Sequence, residues 1–387
     1  MSRKTITKRT FIKTGASALG LMSCSICSLK NVFSNLPFDS SQSIEIDQWT
    51  VKAKYVVNTP KGLKCQICPN ECKMLPGEIS DCKSRINIDN ELYCIAYGNP
   101  CAVHVDPIEK KPLYHFYPGT KTLSIATAGC NLACLNCQNW EISQQSPRKT
   151  RNYDLPPFKV VQECIDNNYK SIAYTYSDPV AFYEYTLDTS RLAKEKGIKN
   201  ILVSAGYIHE KPLREWCQYI DAANIDLKSF SNEIYEMLNA GKLEPVLNTL
   251  KILKEENVWL EITNLIVPNW TDDLKMIKDM CIWLAENGFY NTPIHFSRFH
   301  PQYKLSTLPT TPESILIKAR EIAIAEGLNY VYIGNLPGNN ATNTYCPNCK
   351  KLIIERKGYN ILNFHIENNK CKYCDHEISG VWNQEKL

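Results

Sequence analysis

Two patterns of apolar residues alternate along the chain from position 122. Short runs rich in β-branched and aromatic side chains, at 122–127, 171–176, 200–204, 222–227, 259–267, 294–299 and 330–333, predict strands. Longer stretches between them repeat their apolar positions every three to four residues and predict helices at 157–167, 179–196, 242–256, 272–286 and 312–326. Pro157, Pro179 and Pro312 suit a first helical turn, where a missing N–H leaves nothing unpaired. Six or seven such units within 121–335 predict an α/β fold on a parallel sheet. The expected form is a partial or complete (β/α) TIM-type barrel, with chemistry at the C-terminal ends of its strands. A doubly wound open sheet is the alternative, and the lack of a glycine-rich dinucleotide fingerprint after the first strand counts against it.

Outside 121–335 the pattern changes. Residues 28–60 are mixed and polar and predict a linker with a short strand near Tyr55, 61–120 form a cysteine-rich region, and 340–387 form a second small cysteine-bearing lobe. Residues 1–27 have the layout of an export signal, with Arg3, Lys4, Lys8, Arg9 and Lys13 followed by a small apolar run at 16–22 and then Cys24. Lys8-Arg9 stands where a twin-arginine signal has two arginines, and Leu21-Met22-Ser23-Cys24 is similar to a lipoprotein cleavage box. A basic arm is the other reading. No run reaches the roughly 18 apolar residues that cross a bilayer.

Composition narrows the class. Of 387 residues, 44% are apolar and 22% charged, a globular balance that sets aside a disordered chain. The net charge of +4 lies partly in the first thirteen residues, so nothing in it points to nucleic acid.

Eighteen cysteines are many for this length, and their spacing separates them. Cys65, Cys68, Cys72 and Cys82 form one group, Cys130, Cys134 and Cys137 a second, and Cys346, Cys349, Cys371 and Cys374 a third. The remaining seven are scattered, as buried or idle thiols are. Paired C-x-x-C spacings in a chain of this size signal metal more often than disulfides. The central triplet follows the first predicted strand in TLSIATAGCNLACLNCQNW. A cubane iron–sulfur cluster takes four thiolates, so three leave one iron open, as a catalytic metal site requires. Asn131, Asn136, Gln138 and Asn139 are candidate donors to the sulfurs. A zinc site borrowing a distant fourth ligand is the alternative.

C-x-x-x-C-x-x-C at the end of a first barrel strand resembles the signature of the radical S-adenosylmethionine (SAM) superfamily. The resemblance continues through CQICPNEC, AYGNPCAVHVDPIEKKPLYHFYPG, YTYSDPVAFYEY, NIDLKSF, EITNLIVPNW, SRFHP, YIGNLPG and TYCPNC, in order over about three quarters of the chain. These phrases resemble the radical enzyme of the AmmeMemoRadiSam system, a relative of the glycyl-radical-enzyme activases. The resemblance implies a [4Fe-4S] cluster on Cys130, Cys134 and Cys137, with the amino acid end of SAM on the fourth iron. One electron would then break the sulfonium C–S bond, and the 5′-deoxyadenosyl radical would abstract hydrogen from a substrate.

Tyr176-Ser177-Asp178-Pro179 matches the family's Gly-Gly-Glu-Pro stretch, which makes Asp178 the implied partner of the cofactor's ammonium. Ser204-Ala205-Gly206 and Asp226-Leu227-Lys228 match strand ends that meet its carboxylate and ribose, implying Ser204, Asp226 and Lys228. Two departures bear on adenine: Asn136 replaces the usual aromatic residue before the third cysteine, and Ser-Ala-Gly replaces the commoner Ser-Asn-Gly. Arg298 and His300 are further candidates to face substrate, with Glu261 and Asn264 behind them.

The third group, C-x-x-C-x21-C-x-x-C, is a zinc-ribbon pattern with a closed, structural four-thiolate site. The first, C-x-x-C-x-x-x-C-x9-C, suits zinc or an auxiliary iron–sulfur cluster, and its spacing does not separate them.

Three functions follow: a radical enzyme that activates or modifies a partner protein, one that acts on a small molecule, and a non-catalytic metal-binding adaptor. The adaptor predicts four ligands at every site and leaves the triplet unexplained. The resemblance implies Memo-like or AMMECR-type proteins as associates and flavodoxin or ferredoxin as electron donor. For location, a twin-arginine route would carry a folded, cofactor-loaded protein to the cell envelope, whereas SAM and low-potential electrons are supplies of the cytoplasm, the alternative.

Overall fold

The computed structural model describes residues 46–338 and 340–382. The expected signal at 1–27 and the linker as far as 45 lie outside them.

The central sheet contains β1 (Ala102–Pro107), β2 (Lys121–Ala126), β3 (Ser171–Tyr174), β4 (Lys199–Ser204), β5 (Ala222–Asp226), β6 (Trp259–Ile266), β7 (Ile294–Arg298) and β8 (Val331–Gly334). All seven strands expected from the apolar pattern are present, their ends shifted by a residue or two. β2 to β8 run parallel in chain order, and β1 pairs antiparallel with β2, with Ala102 opposite Ala126 and Pro107 opposite Lys121. An order that never reverses has no switch point, which removes the doubly wound alternative. β1 and β8 each have one neighbour, so the barrel is partial.

Six helices cover the outside: α1 (Pro157–Asp166), α2 (Tyr183–Glu195), α3 (Glu210–Cys217), α4 (Leu243–Glu255), α5 (Leu274–Glu286) and α6 (Glu313–Ala325). α1 buries Pro157, Val160, Val161 and Cys164, and α5 buries Ile277, Met280, Cys281 and Leu284, the same i, i+3, i+4, i+7 stripe. Fully burying each such aliphatic side chain contributes about 1.5–3 kcal/mol. Asp273 caps α5 by accepting from the amides of Lys275 (2.7 Å) and Met276 (3.4 Å). The helix expected over 179–196 is divided into a 3-10 turn, Pro179–Phe182, and α2, because the Asp178 carboxylate draws in the Val180 amide at the first turn.

The linker expected as far as residue 60 ends earlier. Val51–Lys52 pairs with Glu91–Cys94, and Val56–Thr59 pairs with Gly62–Cys65, so both belong to the cysteine-rich lobe. Val51 and Val56 are half-buried against the core, which is why this polar stretch is held.

The N-terminal mouths of the strands are closed by residues 108–117 and by the end of the ribbon lobe. Phe116 packs with Ala173, Ile201 and Ala222, two of which are small enough to admit its ring. Beneath them Glu261, on β6 and wholly buried, accepts hydrogen bonds from the amides of Tyr114 (2.9 Å) and His115 (2.7 Å) and from Trp259 Nε1 (3.2 Å), and pairs with His295 Nε2 (2.7 Å). His115 Nδ1 lies 2.6 Å from the Ser379 carbonyl and its Nε2 2.5 Å from the Tyr332 hydroxyl. Arg356, from the strand Leu352–Lys357, crosses from the ribbon to donate to the Tyr114 carbonyl (2.8 Å) over that residue's ring.

Burial lowers the pKa of His115 to about 4. A base whose folded pKa lies below its unfolded value of 6.5 leaves the unfolded chain binding more protons between the two, so stability falls as pH drops through that window. Between pH 7 and pH 5 the wild type is expected to lose about 2 kcal/mol from this group. His115→Gln, compared with wild type in denaturant titrations at both pH values, should show a smaller acid loss; equal losses would refute the assignment.

Candidate active site at the strand-end rim

Cys130, Cys134 and Cys137 lie on the loop that leaves the C-terminal end of β2, each half-buried. A loop this polar needs its polar groups satisfied, and four neighbouring segments do so. The amides of Ala133 and Leu135 donate to the carbonyls of Asn239 (3.0 Å) and Leu238 (2.9 Å), at the end of a π-helical turn, Tyr235–Asn239. Asn131 Nδ2 donates to the Tyr207 carbonyl beyond β4 (2.6 Å), and Asn139 Nδ2 to the Tyr176 carbonyl beyond β3 (2.8 Å). From the cysteine-rich lobe, Asn70 Nδ2 donates to the Asn131 carbonyl (2.7 Å) and Ser84 Oγ to that of Ala128 (3.3 Å).

Asn131 and Asn139 therefore tie the loop to backbone rather than serving the sulfurs, as they were expected to do. Donors to the thiols come from elsewhere: Asn239 Nδ2 to Cys134 Sγ (3.2 Å), the Leu132 amide to Cys130 Sγ (3.5 Å), and Ser143 Oγ beside Cys137 Sγ (3.2 Å). Asn239 was not legible as a site residue, because it reaches the loop only through a π-turn about a hundred positions away.

Gly129, just before Cys130, has φ +102°, and a Cβ there would stand 2.3 Å from Ser84 Oγ and 2.5 Å from the Cys82 carbonyl oxygen. Only glycine permits this backbone and this close approach.

The implied cofactor residues fall into two pairs. Asp178 follows β3; its carboxylate accepts from the amides of Val180 (3.0 Å) and Ala205 (2.8 Å) and from Ser204 Oγ (3.1 and 3.2 Å), whose oxygen in turn accepts from the Gly206 amide (3.0 Å). Asp178 and Ser204 thus join the ends of β3 and β4. Asp226 ends β5, and Lys228 Nζ pairs with its carboxylate at 2.8 Å. Burial alone would lower the Lys228 pKa, but the Asp226 carboxylate holds it above its ordinary value. Burial raises Asp178, whose donors and the Lys228 charge only partly offset it. Burial, then the Asp178 charge, pushes the Cys130 thiol up, so metal binding must displace a proton there.

Tyr176 stands where the family motif has its first glycine, and its φ is +65°, a conformation that a bulky residue rarely adopts. The ring is anchored by its hydroxyl on Asp106 and by Lys111 Nζ, 4.5 Å above it. Arg298 donates through Nε to the Thr311 carbonyl (2.8 Å), and His300 is exposed. Asn264 donates to the Leu227 carbonyl (2.7 Å), fixing the segment before Lys228, and Glu261 belongs to the closed floor.

The ribbon cysteines are set differently. Cys346, Cys349, Cys371 and Cys374 bring their sulfurs within 4.8 Å of one another, with Cys346–Cys374 at 3.6 Å and Cys349–Cys371 at 3.8 Å. Tetrahedral zinc with Zn–S of about 2.3 Å places thiolates about 3.8 Å apart. The amide of His376 lowers the Cys374 pKa, which favours the thiolate that a metal requires.

A partial parallel barrel with three thiols on its first parallel strand end, a closed floor and a charged rim defines a cofactor-dependent barrel enzyme. The Radical SAM superfamily model matches residues 124–281. An uncharacterized protein of Methanocaldococcus jannaschii is 45% identical over 321 residues, covering 82% of this chain and 96% of the relative. The pyruvate formate-lyase 1-activating enzyme of Escherichia coli is 24% identical over 149 residues, 38% of this chain and 61% of that enzyme. A solved domain of the pyruvate-formate lyase-activating enzyme of Bacteroides vulgatus aligns with a TM-score of 0.38 at 18% identity, over 43% of this chain and 99% of the domain. The chain belongs to the radical SAM superfamily. That membership implies a [4Fe-4S] cluster and SAM, and the rim fits both: three thiols on one loop, a paired ammonium beside them, and buried acceptors at Asn131, Asn136 and Asn239 Oδ1 without protein partners.

Gly129→Ala is expected to destabilise the chain by about 2 kcal/mol or more and to lower iron retention on reconstitution, since backbone strain and a clash act together. Wild-type iron content and melting temperature in that variant would refute the close approach. Cys371→Ser, which removes one of four converging thiolates, is expected to lower the metal bound at the ribbon and the melting temperature together; elemental analysis and thermal melts check both.

Proposed function

We propose that this chain uses SAM and a [4Fe-4S] cluster on Cys130, Cys134 and Cys137 to abstract hydrogen from a protein partner. The observation that carries it is a three-thiol loop tied by Asn139 to the segment beyond β3 that bears Asp178, by Asn131 to the segment beyond β4, and by the π-turn Tyr235–Asn239 to the Asp226–Lys228 pair, whose Lys228 amide donates to the Tyr235 hydroxyl (2.9 Å). When bound, cluster and SAM supply one-electron reductive cleavage to a carbon radical.

The chain's own residues do the positioning. Lys228, held as an ammonium, offers a point cation to the cofactor's carboxylate. Asp178 keeps one acceptor position for an ammonium, whose arrival would restore the ionised form that burial disfavours. Asn239, Ser143 and the Leu132 amide orient the thiolates and lower their electron density, a lever on cluster potential. The closed floor leaves the rim as the approach for substrate and keeps water from the opposite side. A polypeptide substrate is supported by the E. coli relative, an activating enzyme for pyruvate formate-lyase; Memo-like or AMMECR-type proteins and a flavodoxin or ferredoxin donor fit the same reading.

Anaerobically reconstituted protein given a strong reductant should convert SAM to 5′-deoxyadenosine and methionine. Cluster-loaded protein that forms neither would sink the proposal. Cys134→Ala should abolish the reaction, and Lys228→Met should raise the SAM concentration for half-maximal rate about tenfold, the loss of one charge-assisted contact. Deuterium passing into 5′-deoxyadenosine from a labelled candidate protein would establish the substrate class; passage only from a small molecule would replace it.

A further inference from the structure

We propose that Cys65, Cys68, Cys72 and Cys82 hold a second iron–sulfur cluster, seated directly against the loop that carries the first. The proposal rests on the reading of Cys130, Cys134 and Cys137 as the first cluster site.

The four residues are delivered to one place by local structure. Gly62–Cys65 pairs with Lys73–Met74, and the hairpin is extended by the Cys65 amide donating to the Cys72 carbonyl at 3.0 Å, with Cys68 on the turn between. Cys82 lies on a separate turn, closed by Lys83 N to Ser80 O at 2.9 Å, and Asp81 Oδ2 of that turn is 3.3 Å from Cys72 Sγ. Cys65, Cys68 and Cys82 are buried and Cys72 is half-buried.

Filling space does not account for them. Cys164, Cys217 and Cys281 are single thiols on helix faces that pack into the apolar core, the ordinary use of a small hydrophobic residue. Cys68 and Cys82 instead sit on turns, and the sulfurs of Cys72 and Cys82 lie against Asp81 and Ser80. All four are free thiols.

Size separates zinc from a cluster. The ribbon shows what a zinc-sized set looks like in this chain, with four sulfurs inside 4.8 Å. No three of Cys65, Cys68, Cys72 and Cys82 meet that condition, and neither do Cys130, Cys134 and Cys137. Both sets are thus wider than the zinc-sized ribbon, which is the direction in which a four-iron cubane differs from a single ion. With four ligands the N-terminal set has no open iron, unlike its neighbour.

The two loops are bolted together. The Cys82 carbonyl occupies the space beside Gly129, one residue before Cys130. Asn70, between Cys68 and Cys72, holds the Asn131 carbonyl, one residue after it. The Ile67 carbonyl accepts from the His209 amide at 2.9 Å, tying the same hairpin turn to the segment beyond β4.

The test is anaerobic reconstitution of the full chain with iron and sulfide, counting iron, sulfide and zinc. Wild type should hold about eight irons and one zinc, two cubanes and a ribbon. The Cys130→Ala, Cys134→Ala, Cys137→Ala triple variant should keep about half the iron, with a reduced electron paramagnetic resonance signal that SAM does not shift. The Cys68→Ala, Cys82→Ala variant should lose the other half and keep a signal that SAM does shift. Wild type with about four irons and two zincs, and a triple variant with no iron, would overturn the second cluster and leave the first standing. A wild type whose iron is unchanged in the triple variant would retire the first site and leave the second. Wild-type counts decide even if a variant fails to fold.

Discussion

A short polar loop has to hold three thiols at one spacing, and the arrangement of the rim follows from how that loop is kept still. Its amides and carbonyls are not left to solvent. A π-turn after β5 takes up two of the loop's amides and side chains of the cysteine-rich lobe two of its carbonyls, while its own Asn139 and Asn131 side chains donate to the segments beyond β3 and β4. Each hydrogen bond is worth only about 1 kcal/mol net. Together they leave the loop one conformation, which a metal site needs more than it needs raw stability.

Much of this fold was legible because parallel strands buried on both faces read as compact β-branched runs, and the helices between them carry a clear apolar stripe. β1 escaped because Ala-Val-His-Val-Asp-Pro mixes polar residues with a terminal proline, as a half-exposed edge strand does. α3 escaped because eight residues opening Glu-Lys-Pro give too short a period. The cysteine groups stood out through spacing alone. Their long-range support did not: Asn239 reaches Cys134 from 105 positions away, and a local pattern carries no trace of such a contact. Asn131 and Asn139 were found for the wrong reason, since an amide beside a cysteine looks the same whether it serves sulfur or a carbonyl.

The electrostatics of the rim are arranged in a chain of opposite charges. Asp178 raises the Cys130 thiol, Lys228 works in the other direction on Cys134, and Asp226 balances Lys228. In a partly desolvated site each charge is conditional on the next. Loading of metal and cofactor is thereby coupled to proton release, and the site is fully assembled only when every member is present.

The closed floor has a consequence for how the chain reaches its native state. His115 meets Ser379 across 264 positions, and the Tyr117 amide finds the Val381 carbonyl across as many. During synthesis from the N-terminus, residues 108–117 must wait for 379–381 before their polar groups are satisfied, although the cysteine loop and its lobe are complete much earlier. The order of emergence sets the thiols in place first and seals the opposite end last.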